Sequence, residues 1–252
     1  MDRLDDLDLV NEIFDREARG HGLKGVLGVA SLDAVARLIL PVQRRRLDDI
    51  CGGDLGNLDG GSVICIAYAY PEHIIDKIAC RNKGEYDKEA WNVYAREYHR
   101  LNRALNTTAE DIADALGGFS IPATTEGVAT TVRHVEDYYP GAVSHRVVAE
   151  LAGIGWRGKN ELIVNPRYSC AIRLASVVTS LPLKQNAPLQ RGCDRCRACL
   201  DSCTFLRFKD RLDDYREQCR RYIAYLGLEA DVCGKCIKAC YLESAYRDQF
   251  KL

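Results

Sequence analysis

Eight cysteines are concentrated in the last quarter of this 252-residue chain. Four of them follow the pattern C-x2-C-x2-C-x3-C, and the last three follow C-x2-C-x3-C. Short loops with this spacing present thiolates to a cubane iron–sulfur cluster, and the distal cysteine of such a run crosses to a second cluster. Eight ligands therefore predict two [4Fe–4S] centres and a redox function. The eight residues are Cys193, Cys196, Cys199, Cys203, Cys219, Cys233, Cys236 and Cys240.

The spacing indicates how the ligands divide, without proving it. The usual two-cluster topology predicts a first set of Cys193, Cys196, Cys199 and Cys240. It predicts a second set of Cys203, Cys219, Cys233 and Cys236. The alternative is one zinc site made of Cys193, Cys196, Cys233 and Cys236. Zinc would leave four cysteines without a role, so the spacing favours iron–sulfur clusters.

Composition and charge narrow the class of protein. The net charge of −1 gives no global basic field that would attract nucleic acid or anionic lipid. The N-terminus is acidic and lacks an apolar segment after basic residues, so no secretory signal is expected. No apolar run approaches the roughly 18 residues of a membrane span. We therefore expect reduced thiols, a cytoplasmic protein and no membrane partner.

Four further cysteines have no ligand spacing and are predicted to be small buried hydrophobic residues. They are Cys51, Cys65, Cys80 and Cys170.

The first part of the chain predicts an α/β domain over residues 1–183. The clearest strand is SVICIAYAY at 62–70, which is rich in β-branched and aromatic residues. Strands alternating with helices indicate the α/β class. A linker is predicted at 182–190, and a second domain over 184–252. The other predicted elements are strands over 24–30, 161–164 and 175–183, a helix capped by Ser31 that runs to about residue 39, and helices over 2–19, 86–105, 108–116 and 144–152.

A glycine-rich loop reads GIGWRGKN at residues 153–160 and formally matches two nucleotide-binding patterns. Both patterns need a strand before the loop and a helix after it, whereas this loop follows a predicted helix and precedes a predicted strand. The sequence therefore excludes a nucleotide site. A helix-to-strand turn needs only one glycine, so a ligand-binding wall is at least an equal alternative. The predicted cofactor-binding residues are Gly153, Gly155, Trp156, Gly158 and Lys159.

Three segments together resemble a known family. The segments SHRVVAELAGIGWRGKNELIVNPRY and IRLASVVTSLPL, followed by the cysteine runs, resemble the epoxyqueuosine reductases and their shorter iron–sulfur relatives. The resemblance implies a nitroreductase-like α/β domain of the cobalamin-reductase type, which holds cobalamin in a base-off form. It also implies a bacterial two-cluster ferredoxin-like domain and an external low-potential electron donor of the ferredoxin or flavodoxin type.

The chain departs from this family's pattern in three respects. Tyr139 occupies the place of the family's acidic general acid, and its unperturbed pKa near 10 requires a matched substrate. The family's C-terminal helical-repeat extension is expected to be missing. The balanced charge makes a tRNA substrate doubtful. His145, at the start of a predicted helix, is a further candidate for proton relay or for the cobalt side of a corrinoid.

Two functions follow from these patterns. The first is an oxidoreductase that passes single electrons through two clusters to a bound corrinoid or small substrate. The second is a non-catalytic electron-transfer protein that reduces or reactivates a partner, such as a corrinoid enzyme. A closed pocket beside the first cluster would favour the enzyme.

Overall fold

The computed structural model describes residues 5–124, 134–138, 141 and 143–243. The main sheet contains β1 (Gly25–Ser31), β2 (Ser62–Ala69), β5 (Phe119–Ile121) and β8 (Ile172–Thr179). Its strand order is β1-β2-β8-β5, and every neighbouring pair is antiparallel. Two short hairpins pair β3 (Arg81–Asn82) with β4 (Glu85–Tyr86) and β6 (Trp156–Arg157) with β7 (Ile163–Val164). The predicted mixture of helices and strands is confirmed.

Helices cover both faces of this sheet. The α-helices are α1 (Asp6–Gly20), α2 (Leu32–Leu38), α3 (Pro41–Ile50), α4 (Glu72–Ile75), α5 (Lys88–Leu116), α6 (His145–Leu151), α7 (Ala198–Asp201), α8 (Thr204–Arg207), α9 (Tyr215–Leu226) and α10 (Lys235–Glu243). Short 3-10 helices span Leu55–Leu58 and Val135–Tyr138. Buried residues of α1 and α5 form the core on one face, and those of α2, α3 and α6 form the core on the other.

The burial of β2 explains its unbroken apolar sequence. All eight of its side chains are buried, and it pairs with β1 on one side and β8 on the other. Side chains alternate between the two faces of a strand. Ile64 and Ile66 therefore enter the core beneath α1 and α5, while Val63 and Cys65 enter the core beneath α2 and α6. Neither face meets water, so the strand carries no polar alternation.

The long helix α5 differs from the prediction of two helices over 86–105 and 108–116. It runs without a break for 29 residues. The polar residues at the expected break are accommodated inside the fold. Thr108 is fully buried, donates its hydroxyl to the Ala104 carbonyl (2.8 Å) and bonds the Tyr68 hydroxyl (2.9 Å). The Asn106 side chain accepts from the Ala123 backbone (2.8 Å). These bonds satisfy the polar groups without interrupting the helix.

The segment predicted as a linker is hydrogen-bonded to the sheet. Asn186 exchanges two hydrogen bonds with the backbone of Val29, of 2.9 Å and 2.8 Å. Leu183 is buried and donates its backbone N–H to the Ser62 hydroxyl (2.9 Å). The strand predicted at 175–183 is also shifted, because β8 ends at Thr179. The chain after β8 therefore follows the fold closely, and the domain boundary at 183 stays a prediction.

The cysteine-rich part packs directly on α5. Ala230 and Val232, which precede α10, are buried in the same core as α5. The Trp91 indole donates to the Cys233 carbonyl (2.9 Å), and Arg96 forms an ion pair with Glu229 (2.8 Å). These contacts fix the second cysteine run against the α/β part. Across the described ranges, we find no helix with the length and apolarity of a membrane span.

Candidate iron–sulfur site

The cysteines of the two runs are presented by short helices and loops near the C-terminal end. Cys199 lies on α7, Cys203 directly precedes α8, and Cys219 lies on α9. Cys236 and Cys240 are both on α10. Their spacing of four residues places these two thiols on the same face of that helix, one turn apart. Helix α10 therefore carries one ligand of each predicted set.

Electrostatic interactions among the thiols give two groups. The first group joins Cys199 to Cys240, Cys193 and Cys196. The second group joins Cys236 to Cys233, Cys219 and Cys203. Cys236 also interacts with Cys199, so the two groups are neighbours. We call them the first and second cysteine groups. They coincide with the sets expected from the spacing, and their occupancy by clusters stays a prediction.

The chemistry of these groups suits a bound iron cluster. Burial, together with the neighbouring thiolates, raises the pKa of the Cys199 and Cys219 thiols to about 11. Several thiolates in one buried place need cations to balance their charge, and iron supplies that charge. In the part of the chain that the structure describes, no three His, Cys, Asp or Glu side chains converge on one metal ion. A cubane has a separate iron for each thiolate, so its ligands stand further apart.

A cavity of about 450 Å³ adjoins the second cysteine group. All four cysteines of that group line it, together with aromatic side chains that include Phe205 and Tyr222. Arg146, Arg220 and Lys235 also lie on its wall. Positive charge here favours an anionic occupant, and a cubane held by four thiolates is anionic. The cavity therefore has the ligands and the charge that a cluster needs.

Lys235 lies in the second cysteine run, and three aromatic rings surround its ammonium group. It lies between Cys233 and Cys236 in the sequence. Its ammonium donates to the hydroxyls of Tyr86 (2.9 Å) and Tyr222 (2.5 Å). It also faces the rings of Tyr86, Tyr222 and Trp91, at 4.5, 4.7 and 5.7 Å from the ring centroids. Cation–π contacts and hydrogen bonds thus fix one positive charge beside the second group.

The glycines of the 153–160 loop are required by the chain's own backbone. A Cβ on Gly153, whose φ is +66°, would lie 2.5 Å from the Ala187 carbonyl oxygen. A Cβ on Gly155 would lie 2.4 Å from the Val164 carbonyl oxygen. Both distances are too short for any side chain. The first glycine lets the segment after β8 approach the loop. The second lets the chain entering β6 approach Val164 of β7.

The other predicted cofactor-binding residues of this loop also contact protein. Lys159 donates its ammonium to the backbone carbonyls of Asp194 (2.6 Å) and Cys196 (2.9 Å), inside the first cysteine run. Trp156 is buried. Gly158 donates its backbone N–H to the Leu162 carbonyl (2.8 Å). The five predicted residues therefore contact the chain's own atoms, and their role in cofactor binding stays a prediction.

Sequence comparison finds curated relatives that are named epoxyqueuosine reductase. An epoxyqueuosine reductase of Lactococcus garvieae is 29% identical over 187 residues, covering 73% of this chain and 48% of the relative. One of Shewanella oneidensis is 35% identical over 135 residues, covering 53% of this chain and 32% of the relative. The resemblance to epoxyqueuosine reductases is confirmed. No protein-family model matches the chain.

Solved structures of epoxyqueuosine reductases share the fold. The Streptococcus thermophilus protein aligns with a TM-score of 0.51 and 18% identity, over 94% of this chain and 66% of that one. A selenomethionine-labelled epoxyqueuosine reductase aligns with a TM-score of 0.52 and 18% identity, over 96% and 67%. The chain spans about half or less of the length of the curated epoxyqueuosine reductases it matches.

Of the two residues predicted as catalytic by analogy with epoxyqueuosine reductases, one is described. Tyr139 lies outside the described residues. His145 is buried at the start of α6, where it accepts from the Ser176 hydroxyl at Nδ1 (2.8 Å) and donates from Nε2 to the Pro122 carbonyl (2.9 Å). Burial lowers its pKa to about 4, so the ring is neutral near pH 7. Both ring nitrogens are used inside the fold, which gives His145 a structural role.

Sequence reasoning missed several residues around the cysteine groups. Cys170, predicted to be a simple buried hydrophobic residue, contacts Cys240 of the first group. Asn160 bonds the sulfur of Cys170 (3.3 Å). Trp91 and Lys235 contact the second run from outside it. The regular cysteine spacing gave no signal for these residues, because their contacts join distant parts of the chain.

Proposed function

We propose that this chain is an iron–sulfur oxidoreductase related to the epoxyqueuosine reductases, which passes single electrons through two [4Fe–4S] clusters to a bound corrinoid or small substrate. One observation carries the proposal. Eight thiols form two neighbouring groups of four on a fold shared with epoxyqueuosine reductases. The electron donor is expected to be an external low-potential protein of the ferredoxin or flavodoxin type, in a cytoplasm that keeps thiols reduced.

In this proposal the first cluster is bound by Cys193, Cys196, Cys199 and Cys240, and the second by Cys203, Cys219, Cys233 and Cys236. The clusters supply one-electron redox chemistry when bound. The described residues position the ligands: Lys159 holds the first run through two carbonyls, and Trp91 holds the second run through one. Helix α10 carries a ligand of each group, which keeps the two groups adjacent.

The structure also supports the arrangement as a two-cluster, ferredoxin-like unit rather than one zinc site. The zinc alternative needs Cys193 and Cys196 to share an ion with Cys233 and Cys236. Cys193 and Cys196 interact with Cys199, whereas Cys233 interacts with Cys236. The assignment of the thiols to two clusters therefore agrees with the neighbours that each thiol has in the structure.

An electron-counting experiment tests the proposed function. The protein is reconstituted anaerobically and titrated with a strong one-electron reductant while the visible absorbance of the clusters is followed. Two accessible clusters predict the uptake of about two electrons per chain, one for each [4Fe–4S] centre. Mixing the reduced protein with hydroxocobalamin should then return its absorbance to the oxidised form. A protein that accepts no electrons, or that stays reduced in the presence of every acceptor tried, would refute the proposal.

A non-catalytic electron-transfer protein is the second candidate, and one observation favours it. The five glycine-loop residues expected to bind a cofactor are all engaged with the chain's own atoms. Retention of cobalamin decides between the two candidates. The reconstituted protein is incubated with hydroxocobalamin and desalted. Bound cobalamin with a base-off spectrum supports the enzyme, and its complete loss supports electron transfer to a partner protein.

Epoxyqueuosine, which gives the relatives their name, is the substrate to be tested first. Net charge is a weak argument against a tRNA-borne substrate, because charge is distributed unevenly along this chain. Residues 184–252 contain 14 Lys and Arg against 10 Asp and Glu. Basic side chains that track a phosphate backbone act locally. An anaerobic assay with an epoxyqueuosine-containing tRNA stem loop, read by nucleoside analysis, should yield queuosine; unchanged epoxyqueuosine would point to another small substrate.

A further inference from the structure

Cys170 is a ninth cysteine at the proposed redox centre. It is only 2% exposed and lies in a small apolar cluster with Trp156 and Val164. Cys193 and Cys240, two members of the first group, pack against this same cluster. Cys170 lies ten residues after Asn160 and outside both cysteine runs, so it is an addition to the eight predicted ligands.

The hydrogen bonds around Cys170 define which way its single proton points. The Asn160 side chain accepts from the Leu162 backbone N–H at Oδ1 (3.2 Å), which orients the amide. Its Nδ2 then donates to the Cys170 sulfur (3.3 Å). Cys240 packs against the apolar cluster that contains Cys170, and the two thiols interact. An amide NH₂ group can only donate. The sulfur of Cys170 therefore receives the Asn160 N–H, and its own S–H is free for Cys240.

Lys159, next to Asn160 in the chain, reaches the other side of the first group. Its ammonium bonds the carbonyl of Asp194, which lies between the ligands Cys193 and Cys196, and the carbonyl of Cys196 itself. Two consecutive residues of the glycine loop thus contact the first group at two places. Lys159 holds the loop that carries three of its ligands, and Asn160 acts on the fourth through Cys170.

We propose that Cys170, oriented by Asn160, and Lys159 are positioning residues that raise the reduction potential of the cluster held by the first cysteine group. The inference rests on the proposed function, since it needs that cluster. A donor bonded to a ligand sulfur withdraws electron density, and a nearby cation stabilises added negative charge. Both effects favour the reduced cluster. Lys159 bonds the first run. Cys170 also interacts with Cys236 of the second group, but it packs with Cys193 and Cys240 of the first group, so the larger effect falls on the first cluster.

Redox titration monitored by electron paramagnetic resonance tests this inference on the reconstituted full chain. In Cys170→Ala, one of the two clusters should show a lower midpoint potential and the other should shift by less. Cys170→Ser, which restores a donor of similar size, should move the potential back towards wild type. Lys159→Met should lower the potential of the same cluster. Cys65→Ala, which removes a fully buried thiol from the core beneath α2 and α6, should leave both potentials unchanged.

The outcomes separate this inference from the proposed function. A wild-type protein without two titrating clusters refutes the proposed function. If the potentials of both clusters are the same in Cys170→Ala and Lys159→Met as in wild type, the positioning role alone is refuted. Loss of about half the iron in Cys170→Ser also refutes it, because Cys170 would then be a ligand. If Cys170→Ala does not fold, Cys170→Ser and Lys159→Met decide, and unchanged potentials in both overturn the inference.

Discussion

Single side chains around the cysteine groups are expected to tune the reduction potentials of the proposed clusters. Lys235 is the clearest case, because three aromatic rings and two hydroxyls hold its ammonium beside the second group. Lys235→Met removes this cation and both hydrogen bonds. We expect the midpoint potential of the second cluster to fall by on the order of 50 mV, about 1 kcal/mol for a one-electron couple.

Redox titration of the reconstituted variant measures this shift. Lys184→Met, which removes an exposed lysine, is the matched control and should leave both potentials unchanged. If both potentials of the Lys235→Met protein equal those of wild type, the Lys235 ammonium does not act on the second cluster.

His145 makes the stability of the fold depend on pH. Its pKa is lowered from 6.5 to about 4, mainly by burial. Unfolded chains then bind a proton that the folded protein does not, so stability is complete above pH 6.5 and is lost as the pH falls towards 4. Between pH 7.5 and pH 5.5 the loss from His145 should be about 1 kcal/mol.

Urea denaturation of wild type and His145→Gln at the two pH values checks this. The variant is less stable at pH 7.5, since the bonds with Ser176 and Pro122 are disturbed, and it should lose about 1 kcal/mol less than wild type on acidification. Equal losses in the two proteins would contradict a buried neutral imidazole.

Helix α5 connects the sheet to the second cysteine run. Its buried face packs on β8, while Trp91 near its start donates to the Cys233 carbonyl. Trp91→Phe removes that donor and leaves a carbonyl unsatisfied, at a cost of about 2 kcal/mol. The loop before α10 should then loosen, and the second cluster should be lost first on exposure to air.

Iron release under air, followed by absorbance, measures this effect. Tyr98→Phe is a suitable control because the Tyr98 hydroxyl, on the same helix, bonds only weakly to the Thr124 carbonyl (3.4 Å). Equal rates of iron loss from Trp91→Phe and wild type would exclude an anchoring role for this helix.

Elements with a strong local pattern were predictable from the sequence. Strand β2 shows an apolar run between Gly61 and Pro71. The helix after Ser31 begins at the expected cap, where the Ser31 hydroxyl accepts from the Ala34 backbone N–H (3.3 Å). The break expected near residue 107 was wrong, because Thr108 finds its partners across the core on Tyr68. Local polarity predicts a helix end only when no tertiary partner satisfies the polar group.

The same distinction applies to the candidate site. Regular spacing predicted the cysteine runs and their division into two groups. The glycine loop was interpreted as a ligand wall, but Gly153 and Gly155 are needed where Ala187 and Val164 approach. Such close approaches join segments that are distant in the chain, so the loop sequence alone could not show them.

The whole molecule is a sheet between two helical layers, with the cysteine-rich part fastened to it at several points. Asn186 fixes the chain after β8, Lys159 fixes the first cysteine run, and Trp91 and Arg96 fix the segment before α10. These contacts hold both cysteine groups, and with them the proposed clusters, beside the α/β part. A change in one cluster's surroundings should alter its potential without unfolding the other.

The central claim is that the chain holds two cubane clusters, and iron content tests it most directly. After full anaerobic reconstitution, the wild-type protein should contain about eight iron atoms per chain. Cys219→Ala, which removes a ligand of the second group, should retain about four. Cys51→Ala, which removes a buried cysteine outside both runs, should retain all of them. Four or fewer iron atoms in the wild-type protein, or a colourless zinc-loaded protein, would contradict the account.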